Sequence, residues 1–346
     1  MHSAIGVVRK PFRVLALGDS VMWGQGLFPQ EKIHQRVADE IQRLNPHLRV
    51  RADLLAHSGS IIGDPDDPPD AARLEGAYSR EVPIPHPTVF QQVQQVLRRQ
   101  RRSYAYDLIL VCAGINDVHL KHLLNPADDS IEKRMIENFY TRLKALMETL
   151  AIGFPKAEII ICGYYPFFST ESQRGLIALG MAALGFAVGG VVGALGGFVV
   201  NMLTVDEIIT RSDWFVRSAA NATRAIIGEL AAYAPEWGAR LHFVDPGFTG
   251  ENAMFAPKTL LYGINLDLSP QDPREIAQGR ARACEEHSPS LDPLERFGCP
   301  KASVGHPTPQ GAERYASAIL RQTRVALPVL FAENQASVQD GKSPSG

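Results

Sequence analysis

The chain is poor in the features that mark several functional classes. Its 346 residues carry 35 basic against 37 acidic side chains, a formal charge of -2, so the basic footprint of a nucleic-acid binder is missing and no nucleic-acid partner is expected. Four cysteines are too few for a disulfide scaffold, and their spacing is no metal signature. The opening stretch MHSAIGVVRKPFRVLALGDS has no apolar core ahead of a small-residue cleavage site. The expectation is therefore a chain without a cleaved signal peptide, working in the cytoplasm unless some other segment holds it at a membrane. At the far end SVQDGKSPSG is too polar to bury much, and 329–346 is expected to be disordered.

The cysteines divide by context. Cys112 and Cys162 lie inside apolar runs, where a free thiol acts as a small hydrophobe. Cys284 and Cys299 bracket a polar, proline-containing stretch just ahead of His306. They could be joined across it in an oxidising compartment or remain free in a reducing one, and both readings stay open.

What the chain does have is alternation. Short apolar runs bounded by turn residues alternate with longer stretches whose apolar positions recur three and four apart, the pattern of a parallel sheet covered by helices. The strands drawn are Arg13–Leu17, Arg49–Leu55, Asp107–Cys112, Glu158–Cys162 and Leu241–Val244. The helices are Gln30–Leu44, Thr88–Gln100, Ile131–Ile152, Val205–Tyr233 and Pro309–Ala326. This predicts a three-layer α/β/α sandwich of flavodoxin-like type, a single domain over 11–328 with function at the strand ends. The Asp/Pro-rich stretch Gly63–Pro87 reads as a surface loop, since IGDPDDPPD can continue neither a helix nor a central strand.

Chemistry-bearing residues gather at those strand ends. In VLALGDSVMWGQG a strand runs into Gly18-Asp19-Ser20, which would leave the Ser20 hydroxyl at the carboxyl edge of the sheet beside a helix start, where backbone N–H groups favour anions. The tripeptide is equally at home in an ordinary strand-ending turn. The second strand ends in LLAHSGSII, where Gly59 permits close backbone approach. The third ends in LILVCAGINDV, placing Gly114 and Asn116 at the same edge, with the Asn116 amide a candidate donor to a developing oxyanion. Near the C-terminus ASVGHPTPQGAERYA sets His306 before a proline-rich helix start that restricts the backbone around it.

Gly-Asp-Ser, a later Gly, Gly-x-Asn-Asp and a C-terminal His-Pro, in that order from Val14 to about Ala326, resemble the four blocks of the SGNH (GDSL) hydrolases. The resemblance implies Ser20 as nucleophile and first oxyanion donor, Gly59 as second donor, Asn116 as third and His306 as base, with no metal or organic cofactor. It implies a serine esterase or lipase acting on a small-molecule or lipid ester through an acyl-serine. By the same resemblance Asp19 and Asp117 hold loops and do not transfer protons. One position departs from the pattern: the family usually has an acid three residues before the histidine, and here stands Ser303. The pair is then a dyad, or borrows an acid from elsewhere; Asp245 and Asp292 are the candidates, and a backbone carbonyl is a third way to orient the ring. Acyl transfer to an alcohol acceptor, and a non-catalytic lipid- or membrane-binding module in which Ser303 marks lost activity, are the rival readings.

The stretch 175–203, GLIALGMAALGFAVGGVVGALGGFVVNML, has no charged residue, and Gly185, Gly189, Gly193 and Gly197 fall four apart. Its length and composition suit a membrane span. A single crossing would nevertheless separate Ser20 from His306, so re-entrant, interfacial, lid, self-packing and buried-hairpin forms all stay open. In any of them an apolar insert favours a hydrophobic acyl substrate over a sugar acetate. The sequence sets no oligomeric state.

Overall fold

A computed structural model describes residues 10–68, 76–99, 106–123, 125, 128–265 and 267–331. Five strands form one parallel sheet: β1 (Phe12–Gly18), β2 (Val50–Leu54), β3 (Leu108–Cys112), β4 (Glu158–Cys162) and β5 (Leu241–Val244), in the order β2-β1-β3-β4-β5. The registers Leu15 to Asp53, Leu15 to Ile109 and Ile109 to Ile159 run across it. β1 and β3 are buried along their whole length, because helices cover both faces of a parallel sheet and remove the need for a polar side. Each fully buried Leu or Ile there contributes about 1.5–3 kcal/mol of apolar transfer.

The main helices around the sheet are α1 (Ser20–Trp23), α2 (Ile33–Leu44), α3 (Val89–Arg99), α4 (Ile115–Val118), α5 (Thr141–Gly153), α6 (Arg174–Tyr233), α7 (Arg274–His287) and α8 (Pro309–Ala326). α8 starts where the sequence places it, with Pro309 in its first turn and the Thr308 hydroxyl accepting from the Gly311 N–H at 3.2 Å, a side-chain cap on an otherwise orphaned donor. A π-helical turn at Met135–Tyr140 leads into α5, so the expected helix Ile131–Ile152 is a composite. α7 and the short helix Pro293–Gly298 have no counterpart in the sequence reading. The buried face of α7 is Ile276, Gly279, Arg280, Ala283 and Cys284, too small and too polar to give an apolar rhythm.

β1 sits between β2 and β3, so the chain leaves β1 toward one neighbour and returns on its other side. That reversal opens a crevice beyond the carboxyl ends of β1 and β3, the usual ligand position in open α/β sheets.

The backbone from Arg174 runs as one helix to Tyr233. The side chains of 179–203 lie outside the described residues, and with them most of the apolar insert and its lid, membrane and hairpin readings. Among the described residues no helix is long and apolar enough to cross a membrane. At the C-terminal end a 3-10 turn, Pro328–Phe331, follows α8, and Leu330 packs against the core; 332–346 of the expected tail lie outside the described residues.

Cys284 and Cys299 are joined as a disulfide, while Cys112 and Cys162 are buried free thiols. Burial holds both thiols in their neutral form by raising their pKa.

Candidate active site

Ser20 is presented by a tight exit from β1. Gly18 has φ +132°, and a Cβ added to it would lie 1.9 Å from the carbonyl oxygen of Cys112; glycine alone lets β1 turn away while still touching β3. Asp19 then caps α1, its Oδ1 accepting from the Val21 N–H at 2.9 Å and its Oδ2 from the Tyr164 hydroxyl at 2.6 Å. That hydroxyl also accepts from the Ile115 N–H at 3.0 Å, so Asp19 and Tyr164 knot the end of β1 to the end of β3. Burial pushes the Asp19 carboxyl up to about 7, against the hydrogen bonds from Tyr164 and Val21. The side chain thus hydrogen-bonds to both the start of α1 and Tyr164.

Ser20 is followed in space by His306, 286 residues away in sequence, whose Nε2 lies 2.7 Å from the Ser20 Oγ. The histidine backbone is anchored on both sides: its N–H donates to the Ser303 carbonyl at 3.0 Å and its carbonyl accepts from the Tyr262 N–H at 2.8 Å.

Gly59 and Asn116 line the same cleft as Ser20 and His306. Gly59 has φ +79°, and an added Cβ would stand 2.5 Å from the backbone of Pro83 and Ile84, so both its conformation and its space exclude a side chain. Gln92 locks this loop to β1, accepting from the Gly18 N–H at 2.9 Å and donating to the Gly18 carbonyl at 3.0 Å and the Ser60 hydroxyl at 3.1 Å. Asn116 donates from Nδ2 to the Ser60 carbonyl at 2.9 Å. An amide nitrogen has two N–H groups, and Ser60 holds one of them. Asp117 fixes the neighbouring turn, accepting from the Ile62 N–H at 2.8 Å and from Arg142 at 3.1 Å. Burial raises its carboxyl to about 6 against those bonds.

The second ring nitrogen of His306 finds no carboxylate. Nδ1 is buried without a hydrogen-bond partner, and the nearby backbone groups of Val304, Ser303 and Ala302 only favour the charged ring as a whole. Burial and the positive charge of Arg280 outweigh them and press the pKa down to about 4, although one edge of the residue stays open to the cleft and water there moderates the penalty. The acids considered from sequence are elsewhere. Asp245 accepts from the Gly247 N–H at 2.7 Å, and Asp292 caps the helix Pro293–Gly298 by accepting from the Glu295 N–H at 2.8 Å; neither hydrogen-bonds His306. The Ser303 side chain is fully buried and turned to Arg280, from which it accepts at 3.2 Å.

Beyond the polar pair the cleft, about 340 Å3, is walled by Tyr165, Phe167, Phe168, Met254 and Phe255, with Ile177 from the first turn of α6. A neutral imidazole in hydrogen-bonding reach of a serine hydroxyl can accept its proton while the oxygen attacks an electrophile. The apolar walls suit the hydrocarbon part of such an electrophile. Tyr164, Gln92 and Arg280 escaped the sequence reading, since none lies beside a motif and each has a partner far away in sequence, 49, 74 and 199 residues respectively.

No family model and no curated protein matches the chain. Among solved structures it is similar to an extracellular lipase from Streptomyces rimosus, at 14% identity and TM-score 0.46 over 90% of this chain and 99% of that one. A phospholipase A1 from Streptomyces albidoflavus NA297 is 13% identical, with TM-score 0.46 over 91% and 99%. A carbohydrate acetylesterase family member from Sinorhizobium meliloti is 12% identical, with TM-score 0.41 over 92% and 99%.

Proposed function

We propose that this chain is a serine esterase or lipase that hydrolyses a carboxylic ester with a hydrophobic acyl group through an acyl-Ser20 intermediate. The observation that carries the proposal is the 2.7 Å contact between the Ser20 Oγ and the His306 Nε2, placed on an apolar cleft that Gly59 and Asn116 also line.

In this reading the Ser20 oxygen attacks the ester carbonyl carbon and its proton passes to His306 Nε2. The backbone N–H groups of Ser20 and Gly59 and the other N–H of Asn116 take the tetrahedral oxyanion. Collapse breaks the carbon–oxygen bond to the leaving group, which departs as an alcohol with the proton from His306. Water then repeats the sequence on the acyl-serine and releases the carboxylic acid. Without an acid on Nδ1 the imidazolium has only the nearby backbone of residues 302–304 in its favour, a weaker support than a carboxylate. The Cys284–Cys299 bond supports an oxidising compartment over the cytoplasm.

The test is fluorophosphonate labelling of the purified protein, wild type against Ser20→Ala, beside turnover of p-nitrophenyl acetate and octanoate. The expected outcome is labelling of the wild type alone, and a higher kcat/KM for octanoate. Folded wild-type protein that neither labels nor turns over would leave the binding-module reading, and preference for acetate would remove the hydrophobic acyl group.

A further inference from the structure

Behind the histidine lies a buried polar cluster that the hydrolytic step does not use. Arg280, on α7, is fully buried and paired with Glu81 at 3.1 Å and Asp272 at 2.9 Å, both buried too. Two further donors go to the segment that ends in His306: Nε to the Pro300 carbonyl at 3.0 Å and Nη2 to the Ser303 hydroxyl at 3.2 Å. Glu81 in turn grips the segment that follows Ser20. Its Oε1 accepts from the Trp23 indole at 2.8 Å, its Oε2 from the Gly26 N–H at 3.2 Å, and its backbone carbonyl from the Gln25 amide at 2.8 Å.

Two facts set this cluster apart from ordinary core. A buried ion pair is weak evidence of a stabilising role, since replacing the whole pair by apolar side chains of similar volume is often neutral or stabilising. This one, moreover, spends its bonds on the two segments that carry Ser20 and His306, which come from opposite ends of the chain. A guanidinium is the group that can do so, with five donors in a rigid fork. Ser303 fits the same scheme. With Glu81 and Asp272 already on one cation, a third carboxylate at 303 would add a further uncompensated negative charge, whereas a hydroxyl accepts without one.

We propose that Arg280 is a positioning residue which, through Glu81 on one side and Ser303 on the other, holds the Ser20 and His306 segments at the separation that proton transfer needs. The proposal rests on the hydrolase reading above. α7 grips the His306 segment a second time one turn further on, through the Cys284–Cys299 bond; Arg280 adds the link to the serine side.

The test compares Arg280→Lys, Arg280→Met and Ser303→Ala with wild type. Three readouts are taken: kcat and KM on p-nitrophenyl butyrate, the melting midpoint, and the rate of diethyl pyrocarbonate modification at each histidine by mass spectrometry. A displaced catalytic group costs about 100-fold in rate per ångström or so. On that scale Arg280→Met is expected to lose about 100-fold in kcat, and Arg280→Lys and Ser303→Ala about 10-fold each, with KM within about twofold. His306 should be modified about 10-fold faster in all three, while His122 and His242 keep their wild-type rates.

Ser303→Ala cuts the link without leaving a charge unpaired, so it decides the matter if Arg280→Met does not fold. Unchanged kcat and unchanged His306 modification in folded Ser303→Ala and Arg280→Lys would overturn the proposal. So would a rise in KM alone. If the wild type itself neither turns over nor labels with fluorophosphonate, the hydrolase reading fails, and the His306 modification rates still judge the mechanical coupling.

Discussion

Asn116→Ala separates catalysis from folding more cleanly than any other change at this site. The side chain makes one hydrogen bond in the structure, from Nδ2 to the Ser60 carbonyl at 2.9 Å, at a half-buried position that water can reach. Losing such a bond costs about 1 kcal/mol of stability, or about 2 °C in melting midpoint for a domain of this size. The second N–H has a different role if the oxyanion forms where Ser20, Gly59 and Asn116 meet. Removing one donor there costs about 2.7–4 kcal/mol in the transition state, a fall in kcat of about 100- to 1000-fold. The two consequences differ enough in size for one variant to distinguish them. Stopped assays on p-nitrophenyl butyrate, with Ser20→Ala as the background rate, should show the loss in kcat with KM nearly unchanged, and calorimetry should show almost the same midpoint. Asn116→Asp, which preserves shape but cannot donate, should be at least as slow. A kcat for Asn116→Ala within tenfold of wild type would refute the oxyanion role. A loss of activity matched by a fall of more than about 10 °C would show a folding residue, since the hydrogen-bond cost alone cannot reach that figure.

The acid limb of activity should lie low. His306 must be neutral to accept the Ser20 proton, and burial lowers its pKa to about 4, so falling pH protonates it only below the range where an ordinary histidine would already be charged. kcat/KM should therefore be flat above about pH 5 and fall toward pH 4, and an inflection near the ordinary histidine value of about 6.5 would contradict the burial argument. The disulfide closes 15 residues between α7 and the turn before His306. Replacing Cys284 and Cys299 together by serine should cost about 3 kcal/mol on the chain-entropy estimate, read as a lower midpoint in urea, and an unchanged midpoint would show that the bond does not constrain the unfolded chain.

The strands were legible because their signal is local. Leu108–Cys112 and Glu158–Cys162 are short apolar runs closed by turn residues, and strands buried on both faces need no other pattern. Their ends are within a residue or two of the positions read from sequence. α8 was legible from its apolar spacing and from Pro309 at its start; the Thr308 cap appears only in the structure. α7 was not, since its inward positions include Gly279, Arg280, Ala283 and Cys284. Arginine is inward there because two carboxylates from Glu81 and Asp272 wait for it, a condition invisible to any periodicity that scores arginine as solvent-facing.

The candidate site divides along the same line. Ser20, Gly59, Asn116 and His306 could be named because their short motifs, taken in order, resemble the blocks of a known hydrolase family, and the structure places all four on one cleft. How His306 is oriented could not be read, because that depends on which groups the fold folds back against the ring. Ser303 looked like a missing acid, a mark against catalysis. In the structure its hydroxyl completes the coordination of a buried guanidinium that also reaches, through Glu81, the turn after Ser20. No single group takes the orienting role usually given to one carboxylate: Nδ1 has no hydrogen-bond partner, the backbone of residues 302–304 favours the charged ring, and Arg280 hydrogen-bonds the segment that bears the ring. An arrangement of this kind trades electrostatic help to the imidazolium for mechanical constraint. It therefore predicts an enzyme whose rate is more sensitive to loosening of the 299–306 segment than to any single change of charge around the ring.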